Sequence, residues 1–180
     1  MILDKKNDLI VMIDMINGFS YEGAFASENI INLIPNIKKF VKDNIDSGVE
    51  VIHYIDSHPN DAQEFNSYPP HCLENSSEAQ VINDLDFNEI ELIKKNSTNG
   101  FMAKNPFDYN KNLYIIGCVT DICIFEFALS AQKYKEERNL EYTVNIISDL
   151  VDTFDSENHD SKEINKQFLN ILKTRGVNII

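Results

Sequence analysis

Six short apolar runs, most of them rich in β-branched residues, recur along the chain, and most are separated by longer segments with helical spacing. DLIVMID (8–14), VEVIHYID (49–56), EIELIKK (89–95), NLYIIG (112–117), YTVNIIS (142–148) and VNII (177–180) are too short for core helices and suit a pleated, buried surface. Residues 28–48 carry apolar side chains at Ile30, Ile34, Ile37, Phe40 and Val41, the stripe of an amphipathic helix. Pro35 marks a kink or the true start of that helix, and Gly48 is its stop. The spacing also predicts helices over 120–137 and 156–175, the second stopped by Gly176, and a short one over 76–84. Residues 57–75 hold three of the five prolines and read as loop. Strands alternating with helices predict βαβ units, and right-handed crossovers place helices on both faces of the sheet. The expected fold is α/β: three-layer and Rossmann-like, with a mainly parallel, doubly wound sheet of about six strands, in a single domain spanning 1–180.

Composition narrows the partners. The formal net charge is −13 and no basic stretch is interleaved with aromatics, which excludes a phosphate-backbone binder. No run approaches a transmembrane length, and the apolar stretch near the N-terminus is too short for a signal-peptide core. Three cysteines do not suggest a disulfide framework, so a cytoplasmic protein is expected, with no nucleic-acid and no membrane partner.

In open α/β sheets, ligands bind beyond the carboxyl ends of the strands. Those ends carry Asp14, then Asp56 with His58 two residues on, then Lys94-Lys95, then Gly117-Cys118-Val119 with Cys123 opening a helix. Near a helix N-terminus the dipole and unpaired N–H groups favour thiolate, and a nearby lysine adds to this. Cys123 therefore reads as a nucleophile beside Asp14 and Lys95; the alternative is a small buried apolar side chain. Cys118 reads as core. Asp56 and His58 fall on one side of an extended chain, and Glu64 and His71 follow in the same loop. Two carboxylates and two imidazoles suit one divalent ion, Zn²⁺, Mn²⁺ or Fe²⁺; the alternative is a solvated loop. Cys72 reads as an incidental neighbour of that loop site, His53 as a packed core histidine, and His159 as a cap or an exposed residue.

DLIVMIDMINGF, the DSH…PPHC loop, Lys95 followed by Phe101, and GCVTDIC together resemble the isochorismatase-like cysteine hydrolases, and within them the nicotinamidases. The likeness runs from Leu9 to the last helix, with the four motifs in the family's order. It implies Asp14, Lys95 and Cys123 as the catalytic triad, and Asp56, His58 and His71 as metal ligands with Glu64 as a fourth. It also implies a cis peptide at Cys118–Val119, an oxyanion hole of the Val119 and Cys123 N–H groups, and Phe19 packing on the substrate ring. Two positions depart from the pattern. Ile16 replaces a glutamine, and Thr98 stands where nicotinamidases place a tyrosine in the ring pocket, leaving a wider or more polar wall.

The resemblance implies a metal-containing cysteine amidohydrolase acting on a small amide, with nicotinamide first. The same machinery could serve another small amide or a carbamoyl compound. An isochorismatase-type hydrolase is disfavoured by the Asp-His…His set, and a non-catalytic binding module by the complete triad. The helix from Cys123 to Tyr134 is apolar nearly all round, which fits deep burial or a subunit interface, and a homo-oligomer is expected.

Overall fold

The computed structural model describes all residues, Met1–Ile180. Its strands are β1 (Asp8–Ile13), β2 (Glu50–Asp56), β3 (Glu91–Lys95), β4 (Asn112–Cys118), β5 (Val144–Asp152) and β6 (Asn178–Ile179). They form one sheet in the order β3-β2-β1-β4-β5-β6, with every neighbouring pair parallel. The helices are α1, a single turn (Asn17–Ser20), then α2 (Glu28–Asp46), α3 (Phe125–Glu137) and α4 (Ser161–Thr174). The chain winds outward from β1 through β2 to β3, then from β4 through β5 to β6. The reversal between β1 and β4 is the switch point beyond which a crevice opens.

The apolar runs are continuous because both faces of the sheet are covered. Side chains alternate along a strand, so Ile10 and Met12 of β1 pack with Ile30, Ile34, Ile37 and Val41 of α2. Leu9, Val11 and Ile13 point the other way, into the cluster holding Phe127, Ala128 and Ala131 of α3 and Leu172 of α4. The α/β layering expected from the alternation is therefore present, with an all-parallel sheet. α2 runs through Pro35, capped at its start by the Ser27 hydroxyl on the Asn29 N–H at 3.3 Å. It ends at Gly48, whose φ of +84° is a conformation glycine adopts freely.

Three expectations need correction. No helix forms over 76–84, where only a 3₁₀ turn at Asn83–Leu85 appears. Backbone groups of 78–81 are committed elsewhere: Asn17 N–H donates to Gln80 O and Gly18 N–H to Glu78 O, both at 2.9 Å, and Ile16 bridges Val81. β5 runs on to Asp152, because the ladder with β4 shifts register between Ile115 and Gly117 and resumes at Val151 and Asp152. The last helix starts at Ser161 rather than near 156, with Asp160 capping the Glu163 N–H at 2.9 Å.

Candidate active site

Asp14 follows the last residue of β1 and has φ of +52°, a left-handed conformation that aspartate tolerates better than most residues. That turn swings its carboxyl into the crevice, where it is fully buried. Gly117 makes the neighbouring turn possible. Its φ is +112°, and a Cβ there would sit 2.1 Å from Ile13 O, so β4 can approach the end of β1 only with glycine. The chain then passes through a cis Cys118–Val119 peptide into Thr120–Ile124, a turn wound more widely than an α-helix, which carries Cys123. Such π turns recur at functional sites. The cis bond implied by the resemblance is thus present.

Lys95, at the end of β3, is the centre of the cluster. Its Nζ lies 2.5 Å from Asp56 Oδ1, 2.8 Å from Asp14 Oδ2 and 3.8 Å from Cys123 Sγ, and it donates to Ser97 O at 3.2 Å. Asp14 Oδ1 accepts the Asp56 N–H at 3.0 Å. Asp14 Oδ2 is close to the lysine but makes no aligned hydrogen bond, so one oxygen keeps an open lone pair. Asp14, Asp56 and Cys123 place their ligand atoms within 4.8 Å of one another, but the ammonium already supplies the cation there.

The electrostatics separate the two carboxylates. Burial and the Asp56 charge push the Asp14 pKa up to about 7 against the pull of Lys95. Burial also works against the Asp56 carboxylate, but Lys95 beside it holds its pKa well below the usual range. The Cys123 thiol is raised by burial, with Lys95 opposing only in part. Complete burial thus opposes the stabilisation of thiolate expected from the helix start and the lysine.

The second cluster lies on the other side of Asp56. The donor atoms of Asp56, His58, Glu64 and His71 all lie within 4.8 Å of one another. Glu64 stands on a 3₁₀ turn, Gln63–Asn66, that folds the loop back over the end of β2. His58 Nδ1 faces Asn96 Oδ1 and His71 Nδ1 faces Pro69 O, each at 2.9 Å. A carbonyl oxygen only accepts, so each Nδ1 carries hydrogen and each Nε2 is aimed inward. His58 Nε2 is buried with no hydrogen-bond partner, at 3.4 Å from Asp56 and 3.9 Å from Glu64. His71 Nε2 stands 3.7 Å from both carboxylates. Four metal-binding atoms converge, and burial of His58 is outweighed by Asp56, which raises its pKa. The site is built for positive charge, and its nitrogen and oxygen donors fit a divalent ion.

A pocket of about 70 Å³ is lined by residues of both clusters: Val119 and Cys123, and Asp56, Glu64 and His71. Phe19 and Thr98 line it as expected, but the Thr98 hydroxyl is committed to Glu126 at 2.6 Å. Phe25, Tyr68, Ile122 and Phe154 complete the wall. Nothing in their spacing marks these four. Cys118 is buried and its thiol donates to Asp14 O at 3.1 Å, in keeping with a core position. Cys72 is buried too, outside the donor group. His53 is a core histidine whose Nε2 accepts the Met15 N–H at 3.1 Å. His159 is neither a cap nor exposed: it is half-buried, stacked on Phe154 and paired with Asp121.

Comparison with known proteins bears on the fold and the family. The chain is 29% identical to nicotinamidase 1 of Arabidopsis thaliana over 86% of this chain and 73% of that protein. Its fold matches a pyrazinamidase of Pyrococcus horikoshii solved in complex with zinc, at 23% identity and a TM-score of 0.80, over 97% of this chain and 98% of that one. It also matches the N-carbamoylsarcosine amidase of Thermoplasma acidophilum, at 21% identity and a TM-score of 0.78, over 96% and 95%. No helix is long and apolar enough to cross a membrane. Residues 8–175 match the isochorismatase domain, and the chain belongs to that family of hydrolases.

Proposed function

We propose that the protein is a metal-dependent amidase that hydrolyses nicotinamide to nicotinate and ammonia. The observation that carries this reading is the Lys95 ammonium held between Asp14, Asp56 and the Cys123 thiol, beside a small pocket that Asp56, Glu64 and His71 also line.

In this mechanism the Asp14 carboxylate takes the thiol proton as Cys123 Sγ bonds to the amide carbon. Lys95 favours the ionised form of Asp14, orients it, and balances the charge that develops on sulfur. The N–H groups of Val119 and Cys123 hold the oxyanion, a contribution of about 3 kcal/mol per donor in other enzymes. The tetrahedral adduct collapses, the C–N bond breaks, and Asp14 returns its proton to the departing nitrogen to release ammonia. A water then attacks the thioester with Asp14 again as base, and the acid leaves as the thiol is restored. Asp56, His58, Glu64 and His71 would hold the divalent ion, which supplies a Lewis acid for the ring nitrogen or for water. Phe19 would stack on one face of the ring.

The second reading is hydrolysis of a non-aromatic amide or carbamoyl compound, favoured by Thr98 where nicotinamidases carry an aromatic wall. The converging Asp56, His58 and His71 disfavour an isochorismatase-type hydrolase. Ammonia release from nicotinamide, pyrazinamide, carbamoylsarcosine and simple aliphatic amides separates the readings. Nicotinate formation that disappears in Cys123→Ser is the expected result. Turnover of the aliphatic amides alone would sink the nicotinamidase assignment and leave the triad standing. The protein is expected to act as a homo-oligomer, which light scattering tests directly.

A further inference from the structure

One cluster of polar side chains is not used by the chemistry above. Asp121 lies in the turn that carries Cys123, two residues before it. Its Oδ1 accepts the Thr153 hydroxyl at 2.5 Å, and its Oδ2 accepts His159 Nε2 at 2.9 Å. His159 Nδ1 donates to Phe154 O at 2.8 Å, so both ring nitrogens face acceptors, an arrangement that favours the imidazolium. Burial opposes that charge, but Asp121 and the Phe154 carbonyl raise the His159 pKa. The His159 ring lies flat on the Phe154 ring, with centroids 4.1 Å apart and planes within 5°. A cation over an aromatic face is attracted to it. Phe154 is therefore held from behind, and its attachment point is the turn that bears the thiol.

What Phe154 divides gives the arrangement a consequence. It lines the pocket over Cys123 together with Phe25. The same two rings line a larger outer groove of about 500 Å³, whose other walls include Ser27, Asn29 and Asp155. The two spaces are neighbours separated by side chains.

We propose that Phe154 is the residue that limits this site to single-ring amides, and that His159, fastened to Asp121, is the positioning residue that keeps it closed against the outer groove. The assignment deepens the nicotinamidase reading by naming the substrate size class, and rests on it for the amide chemistry. With Phe154 in place, a second fused ring meets the wall. With it truncated, the pocket and the groove join.

The test compares kcat/KM for nicotinamide and for its fused two-ring analogue, quinoline-3-carboxamide, in metal-loaded enzyme. Wild type should prefer nicotinamide. Phe154→Ala should move the ratio toward the two-ring amide by about tenfold or more, the scale on which an altered pocket wall changes discrimination. His159→Ala should move it in the same direction, chiefly through KM, and His159→Gln, which keeps a donor for Asp121, should restore part of it. A mere loss of folded protein lowers both rates together and leaves the ratio alone. An unchanged ratio in Phe154→Ala would overturn the proposal, and an unchanged ratio in His159→Ala would remove His159 from it. If wild type hydrolyses neither ring amide, the nicotinamidase reading fails. The size limit is then read on Cys123 by mass spectrometry, as the rate of labelling by N-benzyliodoacetamide relative to iodoacetamide. A relative gain in Phe154→Ala sustains the proposal, and equal ratios or the absence of Cys123 labelling in both proteins overturn it.

Discussion

Lys95 donates to Asp56 across 2.5 Å, and that contact joins the thiol end of the pocket to its histidine end. One carboxylate thus serves two sites: one oxygen faces the lysine shared with Asp14, and the other faces His71. The two clusters respond to each other through charge.

Removing the lysine should accordingly be severe. Lys95→Met leaves Asp14 and Asp56 buried side by side without a cation. Breaking a buried pair in this way costs about 3–5 kcal/mol. Urea denaturation should show a loss of that order, with activity absent. The double variant Lys95→Met/Asp14→Asn should recover part of the stability and none of the activity.

Cys123→Ala should abolish turnover and leave the fold and bound metal in place, because the side chain is small and the turn is held by backbone bonds. Cys118→Ala should keep activity measurable, since that thiol donates only to the Asp14 carbonyl from within the core. Iodoacetamide followed by peptide mass spectrometry should find label on Cys123. Label on Cys72 or Cys118 with Cys123 inert would reverse the assignment.

His58→Ala and His71→Ala should each cut bound metal sharply in plasma emission analysis, and Glu64→Ala less so. Asn96→Ala is the finer test. Asn96 touches only the Nδ1 side of His58 and orients its Nε2. Loss of such an outer partner lowers metal affinity by about 10–100-fold in other proteins. An unchanged affinity in a competition titration would mean that the His58 ring is fixed by packing alone.

Stability should fall in acid through His53. Burial holds its pKa down at about 3 from 6.5. Between those values the unfolded chain takes up a proton that the folded protein refuses. Stability is then present above pH 6.5 and lost as pH falls toward 3, by about 1.4 kcal/mol per pH unit. Asp14 runs the other way. Its pKa is raised from 3.8 to about 7, so its contribution is full in acid and is lost as pH rises through that interval. The two oppose each other in the wild type. His53→Gln, which keeps an acceptor for the Met15 N–H, isolates the histidine. Relative to wild type it should gain stability progressively below pH 6, measured by denaturant titration at several pH values. A constant difference would show that His53 stays neutral in neither state or in both.

The layered sheet was legible in the apolar runs, because a strand buried on both faces needs apolar residues on both, and the helices between strands force parallel order. The positions of Asp14, Asp56 and Lys95 at strand ends and of Cys123 at a helix start followed from that order alone. Misreadings fell where local pattern competes with long-range pairing. Residues 78–81 have helical composition, yet their backbone is taken by residues 16–18. The start of α4 was set by the Asp160 cap rather than by the first polar residues after β5.

By itself, the sequence determined the α/β class, the family motifs, and which side chains stand at the crevice, since each depends on residue type and local order. The tertiary structure alone decided the charge states and the walls. Whether Cys123 rests as thiol depends on how completely β1, β3 and the π turn bury it, and on where the Lys95 ammonium lies between two carboxylates. Phe154 and His159 become part of the site only because Thr153 and His159 are brought to Asp121, from 32 and 38 residues away along the chain. Burial and charge proximity are sums over the whole fold, and no local spacing encodes them.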